Sequence, residues 1–315
     1  MHYHAHVKFA VIIAAHLSLC GCTEFLAIPM VRSPNHGRQF DASGDASPAE
    51  LEELGVNMQL RLDVGPPPAS LSLWIIDPTD ESGQTPPTPK GTVLLLHGIY
   101  QSKDHRLVLP WGRRWAAAGY RTVMVDLRGH GRSSGDWMTY GAVDSRDMIQ
   151  VIDALAERDL IVGKLGVFGV SYGGATALQL AAEDPRVDAV VTVAAYTSMR
   201  DVVPNFARQF LPIIEWFISD AKFDEAIDRA GEMAGFDPDQ ASALEAISRM
   251  RTPVLLIHGA EDRHVRPEHS RILHAAAPEH SQLVLLDDEG HMTMWWRPVD
   301  ELFASSVAWF DEHLR

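Results

Sequence analysis

Gly169-Val170-Ser171-Tyr172-Gly173 sets a hydroxyl nucleophile between two glycines. An apolar run, Leu165-Gly166-Val167-Phe168, precedes it and reads as a short buried strand, and Gly174 to Ala182 follows as a helix. At such a corner the turn strains the backbone at the serine, and only small flanking residues escape collision with the neighbouring strand. The strain holds the hydroxyl at the carboxyl edge of a sheet, where the next helix aims its amides and dipole. Free serine is a weak nucleophile. It needs a base to take its proton and a buried carboxylate to fix the tautomer of that base. Both have candidates behind later apolar runs. Val254-Leu255-Leu256-Ile257 leads into His258-Gly259-Ala260-Glu261-Asp262, where Asp262 is the acid candidate. Leu283-Val284-Leu285-Leu286 leads into Asp287-Asp288-Glu289-Gly290-His291, where His291 is the base candidate.

Acyl transfer also needs donors for the charge that develops on the attacked carbonyl oxygen. One is the amide of Tyr172, directly after the nucleophile. The other is expected from His97-Gly98-Ile99-Tyr100, which follows the apolar run Thr92 to Leu96. Ile99 is the expected donor there, with Tyr100 as the alternative.

The elements that must position these groups alternate along the chain. Strands are predicted over 58–64, 71–76, 92–96, 121–125, 165–168, 187–194, 254–257 and 283–286. Helices are predicted over 105–118, 144–157, 267–277 and 300–313. Near-continuous apolar strands alternating with amphipathic helices predict an α/β fold, a mostly parallel sheet covered on both faces. Its ligands bind at the carboxyl ends of the strands. One stretch, Tyr196 to Met250, is too long for a simple connection. Between Phe206 and Ile218 it carries eight large apolar side chains in thirteen positions. It is expected to form a small helical cap, about residues 197–250, lining an acyl pocket, or else a helix packed on the core.

Composition narrows the function. The 315 residues are 46% hydrophobic and 22% charged, with a formal net charge of −15. Nucleic acid is excluded as a partner, because neutralising phosphates takes a surplus of Lys and Arg. Residues 1–21 have the form of a secretory signal, weakly basic to Lys8 and apolar from Phe9 to Leu19, too short to span a bilayer. The segment ends Leu19-Cys20-Gly21-Cys22, which resembles the bacterial lipobox and marks Cys22 as a lipid-attachment site. A bacterial envelope protein follows as the expectation, anchored to a membrane through lipid on the periplasmic face. The outer membrane is favoured because Thr23, not aspartate, comes next. Both cysteines lie in this segment, so no disulfide is expected in the mature chain. His2, His4 and His6 fall within it too and are not read as a metal site. Residues 22–53, rich in Pro, Ser, Asp and Gly, are expected to be a flexible tether reaching roughly 30 Å, ahead of a domain spanning 54–315.

These motifs together resemble the α/β-hydrolase superfamily over Leu54 to Arg315. The matching pieces are His97-Gly98, the run Asp126 to Ser133, Gly169 to Gly174, His258-Gly259 with Asp262 and Val265, and Gly290-His291. Within it the chain is similar to serine esterases and lysophospholipases of the monoacylglycerol-lipase and Bem46-like branches, and is close to the prolyl-peptidase-like branch. The resemblance implies hydrolysis of a small-molecule acyl ester by Ser171, Asp262 and His291, with no cofactor and no metal. It puts Glu261 off the acid position and leaves Asp201 as a rival acid, since some members carry it there. Structural roles are expected for His97, His258 and His130, and Trp295 and Trp296 are expected in the core or as a pocket wall. Three alternatives remain: a prolyl-type peptidase or amidase, an acyltransferase, and a non-catalytic surface lipoprotein.

Overall fold

All eight segments expected as strands pair into one sheet in a computed structural model that describes residues 23–38, 45–79, 88–210, 218–296 and 300–314. The strands are β1 (Met58–Val64), β2 (Ala69–Ile76), β3 (Thr92–Leu96), β4 (Arg121–Val125), β5 (Leu165–Val170), β6 (Val187–Val193), β7 (Val254–Gly259) and β8 (Ser281–Leu286). Their order is β1-β2-β4-β3-β5-β6-β7-β8, and β2 alone runs against the others. The helices are α1 (Thr23–Val31), α2 (Pro48–Glu53), α3 (Leu109–Ala117), α4 (Asp144–Ala156), α5 (Tyr172–Glu183) and α6 (Met199–Phe210). Then follow α7 (Asp220–Ala234), α8 (Ala243–Arg249), α9 (Glu268–Ala276), α10 (Thr293–Trp296) and α11 (Asp300–His313).

The central strands are apolar throughout because both of their faces are covered. Successive side chains point to opposite faces of a strand. Leu94 and Leu96 of β3 therefore join a core with Met148 of α4 and Leu178 of α5. Val93 and Leu95 join a second core with Trp115 of α3 and Phe310 of α11. α4 buries Met148, Val151, Ile152 and Leu155, one helical stripe, and carries Asp144 and Asp147 in its first turn, where the helix dipole favours negative charge. α3 begins at Leu109 rather than His105, with Pro110 in its first turn, where the missing N–H costs nothing.

Pairing register brings the strand ends to one edge. Leu96 lies opposite Val125 and Gly169, Gly169 opposite Thr192, Val193 opposite Ile257, and Gly259 opposite Leu286. The loops carrying Ile99, Ser171, Asp262 and His291 consequently leave the sheet on the same side. α6, α7 and α8 occupy the long stretch between β6 and β7. Of its apolar run, Ile218 is buried, while residues 211–217 and the Phe210 side chain lie outside the described residues.

The flexible tether expected over residues 22–53 is overturned where the chain is described, over 23–38 and 45–53. Residues 23–38 dock on the domain instead of linking to it. α1 packs against α7 and buries Ala27, Met30 and Val31. Tyr140 Oη donates to the Met30 carbonyl at 2.6 Å, and the Met138 amide to the Val31 carbonyl at 2.7 Å. Asn35 Nδ2 reaches the Ser133 carbonyl at 2.8 Å and the Gly131 carbonyl at 3.0 Å. Residues 45–53 are tied down as well, by the Asp45–Arg61 ion pair and by α2. A nine-residue helix is too short to be stable alone, and its apolar residues acquire meaning only from the surface that receives them. Residues 1–22, with the expected signal segment and Cys22, lie outside the described residues.

Candidate active site

The corner between β5 and α5 has the strained geometry expected of it. Ser171 sits at φ 49°, ψ −109°, a left-handed φ that L-residues rarely adopt. Its amide donates to the Val193 carbonyl at 2.8 Å, which locks the turn to β6. Both flanking glycines are sterically required. A Cβ on Gly169 would stand 2.3 Å from the Gly173 carbonyl oxygen, and one on Gly173 would stand 2.3 Å from that of Leu96.

Asp262, buried at the end of β7, faces His291 from the loop after β8. Its Oδ2 accepts from His291 Nδ1 at 2.7 Å. Its Oδ1 accepts from the amides of His264 at 2.8 Å and Val265 at 3.0 Å. Burial disfavours its charge, but hydrogen bonds from His258 and His291, the charge of His291 and the Val265 amide outweigh that and hold the carboxyl well below the usual range. The two loops are pinned together, since the Glu261 amide donates to the Glu289 carbonyl at 2.9 Å. Glu261 itself is exposed. Asp201 accepts from Thr197 Oγ1 at 2.5 Å and Ser198 Oγ at 2.6 Å, while His291 Nδ1 is taken by Asp262. Ser171 and His291 line one cavity without a hydrogen bond between them among the described contacts. A bound substrate has to bring that contact in, as is common for unliganded sites.

Ile99 and Tyr172 line the same cavity, and neither amide is given to another acceptor among the described residues. Tyr172 points its side chain the other way. Its hydroxyl donates to Asp144 Oδ2 at 2.8 Å and accepts from the amides of Thr139 and Tyr140. The Ile99 loop is held by a pair that sequence reasoning missed. Lys103, fully buried, donates from Nζ to Asp126 Oδ2 at 2.5 Å and to Ser72 Oγ at 2.9 Å, and its amide donates to Asp126 Oδ1 at 2.6 Å. Asp126 opens the run Asp126 to Ser133, so the stretch after β4 acts as a brace for the loop after β3. Arg128 closes on Asp147 with two 2.8 Å bonds.

Three histidines in these motifs have structural partners. His258 contacts Ser270 Oγ at 2.6 Å and the Val265 carbonyl at 2.8 Å. His130 Nδ1 contacts the Arg128 carbonyl at 2.9 Å. His97 Nδ1 donates to the Gly98 carbonyl at 2.8 Å while Nε2 accepts from the Leu127 amide at 3.1 Å, an arrangement that only the neutral ring can make. Burial first, and the neighbouring His130 second, lower the His97 pKa to about 4. The unfolded imidazole titrates near ~6.5. Between these values the unfolded chain binds a proton that the folded chain refuses, so stability falls as pH falls. The stability present above about pH 6.5 is expected to drop through that window, with about 3 kcal/mol from His97. Urea unfolding from pH 7 to pH 4 measures it, and a flat midpoint over the range contradicts the burial of a neutral His97.

The cavity, about 450 Å³, is walled largely by apolar groups. Val202, Val203, Phe206 and Ala207 of α6 and Phe223 of α7 form one side, with Tyr140 and Tyr196 beneath. α1 supplies Phe25, Leu26, Pro29 and Met30, none of which the sequence reading had placed at a site. His264, also unforeseen, stacks on His291 with ring centroids 5.5 Å apart. The side chains of Trp295 and Trp296 lie outside the described residues.

Comparison with known proteins agrees with this architecture. Residues 69–216 match the X-Pro dipeptidyl-peptidase (S15) family, and residues 150–298 match the C-terminal domain family of BAAT and acyl-CoA thioester hydrolases. The alpha/beta hydrolase domain-containing protein WAV2 of Arabidopsis thaliana is 29% identical over 178 residues, 55% of this chain and 54% of that protein. The chain thus spans about half the length of that relative. A 31.7 kDa protein from the traX–finO intergenic region of Escherichia coli is 23% identical over 261 residues, 70% of this chain and 91% of that protein. Among solved structures, an esterase of Pyrococcus furiosus superposes with a TM-score of 0.66 at 18% identity, covering 90% of this chain and 99% of that one. The fold is the α/β-hydrolase fold.

Proposed function

We propose that this chain hydrolyses carboxylic acyl esters through a covalent acyl-enzyme. Ser171 Oγ attacks the carbonyl carbon and its proton passes to His291 Nε2. Asp262 keeps the other proton of the ring on Nδ1, facing Oδ2. The amides of Ile99 and Tyr172 receive the oxyanion. His291 then protonates the departing alkoxide, water takes the alcohol's place, and the second half-reaction releases the acid and restores Ser171. The observation that carries this reading is the convergence of Ser171 and His291 on one apolar cavity, with Asp262 bound to the far side of the His291 ring.

The match over 69–216 favours a second reading, a peptidase cleaving after proline. Such a substrate brings an ammonium group into the cavity, and no Asp or Glu lines the cavity among the described residues. Burying an unpaired ammonium against apolar walls is costly, so the ester reading is preferred. Acyl transfer to an alcohol would use the same acyl-enzyme. The test is kcat/KM on acetyl, butyryl and octanoyl p-nitrophenyl esters beside X-Pro amides. Burial of roughly 0.8 kcal/mol per methylene predicts a rise of about tenfold from acetyl to butyryl. Preference for the amides would transfer the assignment to the peptidase.

We further infer from the Leu19-Cys20-Gly21-Cys22 motif that Cys22 carries a lipid anchor and that the protein resides on a bacterial envelope membrane, the outer one being favoured.

A further inference from the structure

Resting on the ester-hydrolase and lipid-anchor readings above, we propose that the rim of this cavity is a bilayer-contacting surface, so that the enzyme draws its acyl ester from the lipid phase. α1 joins the lipid site to the cavity. Its first residue, Thr23, directly follows Cys22, and its side chains Phe25, Leu26, Pro29 and Met30 are a wall of the cavity. Phe25 lies three residues from Cys22, no more than about 11 Å even for fully extended chain. α1 is tied to the domain at both ends. Beyond the bonds at Met30 and Val31, Glu24 pairs with Arg229 of α7, and Arg32 bridges to Trp137. A lipid on Cys22 would therefore hold the cavity itself against the membrane, with no tether to give it slack.

The surface at that position suits a lipid interface. Phe25 is 65% exposed and Tyr100, across the cavity on the Ile99 loop, is 56% exposed, and both line the cavity. Ile28, 37% exposed, lies one turn beyond Phe25 on the same helix face. Aromatic rings exposed to water at a cavity rim are the side chains that favour a membrane–water boundary. The occupant is a lipid surface because the chain itself leads there: the residue immediately before α1 is Cys22, the lipid-attachment site inferred above. The net charge of −15 disfavours an anionic surface. The substrate class that follows is an amphiphilic ester whose acyl chain resides in a zwitterionic or neutral leaflet and slides past Phe25 toward Ser171.

The test uses the full chain in phosphatidylcholine–phosphatidylethanolamine vesicles, with a water-soluble butyryl ester and a long-chain monoacyl ester dissolved in the same vesicles. Ile28 does not line the cavity. Ile28→Glu is expected to leave soluble-ester turnover within about twofold and to slow the vesicle-borne ester by about tenfold or more. Ile28→Ser should give a smaller loss of the same kind. Unchanged turnover of the vesicle-borne ester overturns the proposal, and so does an equal loss on both esters, which would make α1 a support for the cavity alone. Conversion of a dimer to a monomer by Ile28→Glu, read by sedimentation, would assign the patch to a second copy of the chain and also overturn it. Two controls separate the underlying readings. Wild type that incorporates no labelled fatty acid at Cys22 overturns the anchor and this proposal while the soluble ester is still cleaved. Wild type inert on both esters overturns the hydrolase reading and this proposal with it, whatever the label.

Discussion

Ser171→Ala is expected to lower kcat on a butyryl ester by about 10⁶-fold, the scale on which removal of a triad nucleophile acts. The fold should survive. Ser171 Oγ has no hydrogen-bond partner among the described residues, and the locking bond to the Val193 carbonyl comes from the backbone, which alanine retains. Steady-state hydrolysis and thermal unfolding measured on one preparation check both halves. A fluorophosphonate should label wild type at Ser171 and leave the variant unmodified. Ser171→Ala retaining a tenth of wild-type turnover, or wild type labelled elsewhere, would remove Ser171 from the nucleophile role.

Asp262→Asn is expected to cost about 10⁴-fold in kcat with little change in KM. Asp262 divides its two oxygens between two tasks, Oδ1 toward the His264 and Val265 amides and Oδ2 toward His291 Nδ1. An asparagine keeping its oxygen on the two backbone donors must turn its NH₂ toward His291. The imidazole then has to accept at Nδ1 and carry its proton on Nε2, which is the wrong tautomer to take a proton from Ser171. The fold should survive, with the unfolding midpoint at pH 7 lowered because the neutral amide gives up the favourable interactions that hold the carboxylate ionised. Asp201→Asn is the control, because its carboxylate is engaged by Thr197 and Ser198. Should Asp201→Asn prove the damaging change and Asp262→Asn the mild one, the acid assignment moves to Asp201.

Each candidate group sits on a loop braced from a distant part of the chain: Ile99 through Lys103 and Asp126, His291 through Glu261 and Glu289, Ser171 through Val193. Loops at strand ends are free to carry chemistry, and rigid supports behind them supply the preorganisation that catalysis requires.

Strands, and the loops that follow them, were legible in the sequence because their signals are local. An apolar run of five or six residues identifies a buried strand by composition alone, and Ser171, Asp262 and His291 each stand within a few residues of such a run. The two glycines flanking Ser171 are a local signal too, since only their lack of Cβ lets β5 turn into α5 beside Leu96. Convergence of the three side chains, and the choice of Asp262 over Asp201 as partner of His291, depended on strand order, which pairs β6 with β7 and β7 with β8. The Lys103–Asp126 brace was hidden because its members are 23 positions apart and neither has a neighbour in sequence that announces the other. α1 was hidden for a thermodynamic reason. Nine residues with Pro29 among them cannot hold a helix in water, so Thr23 to Val31 carries no helical signal of its own. Its structure is supplied by α7, Met138 and Tyr140, and its place as a wall of the cavity exists only once those distant segments have folded around it.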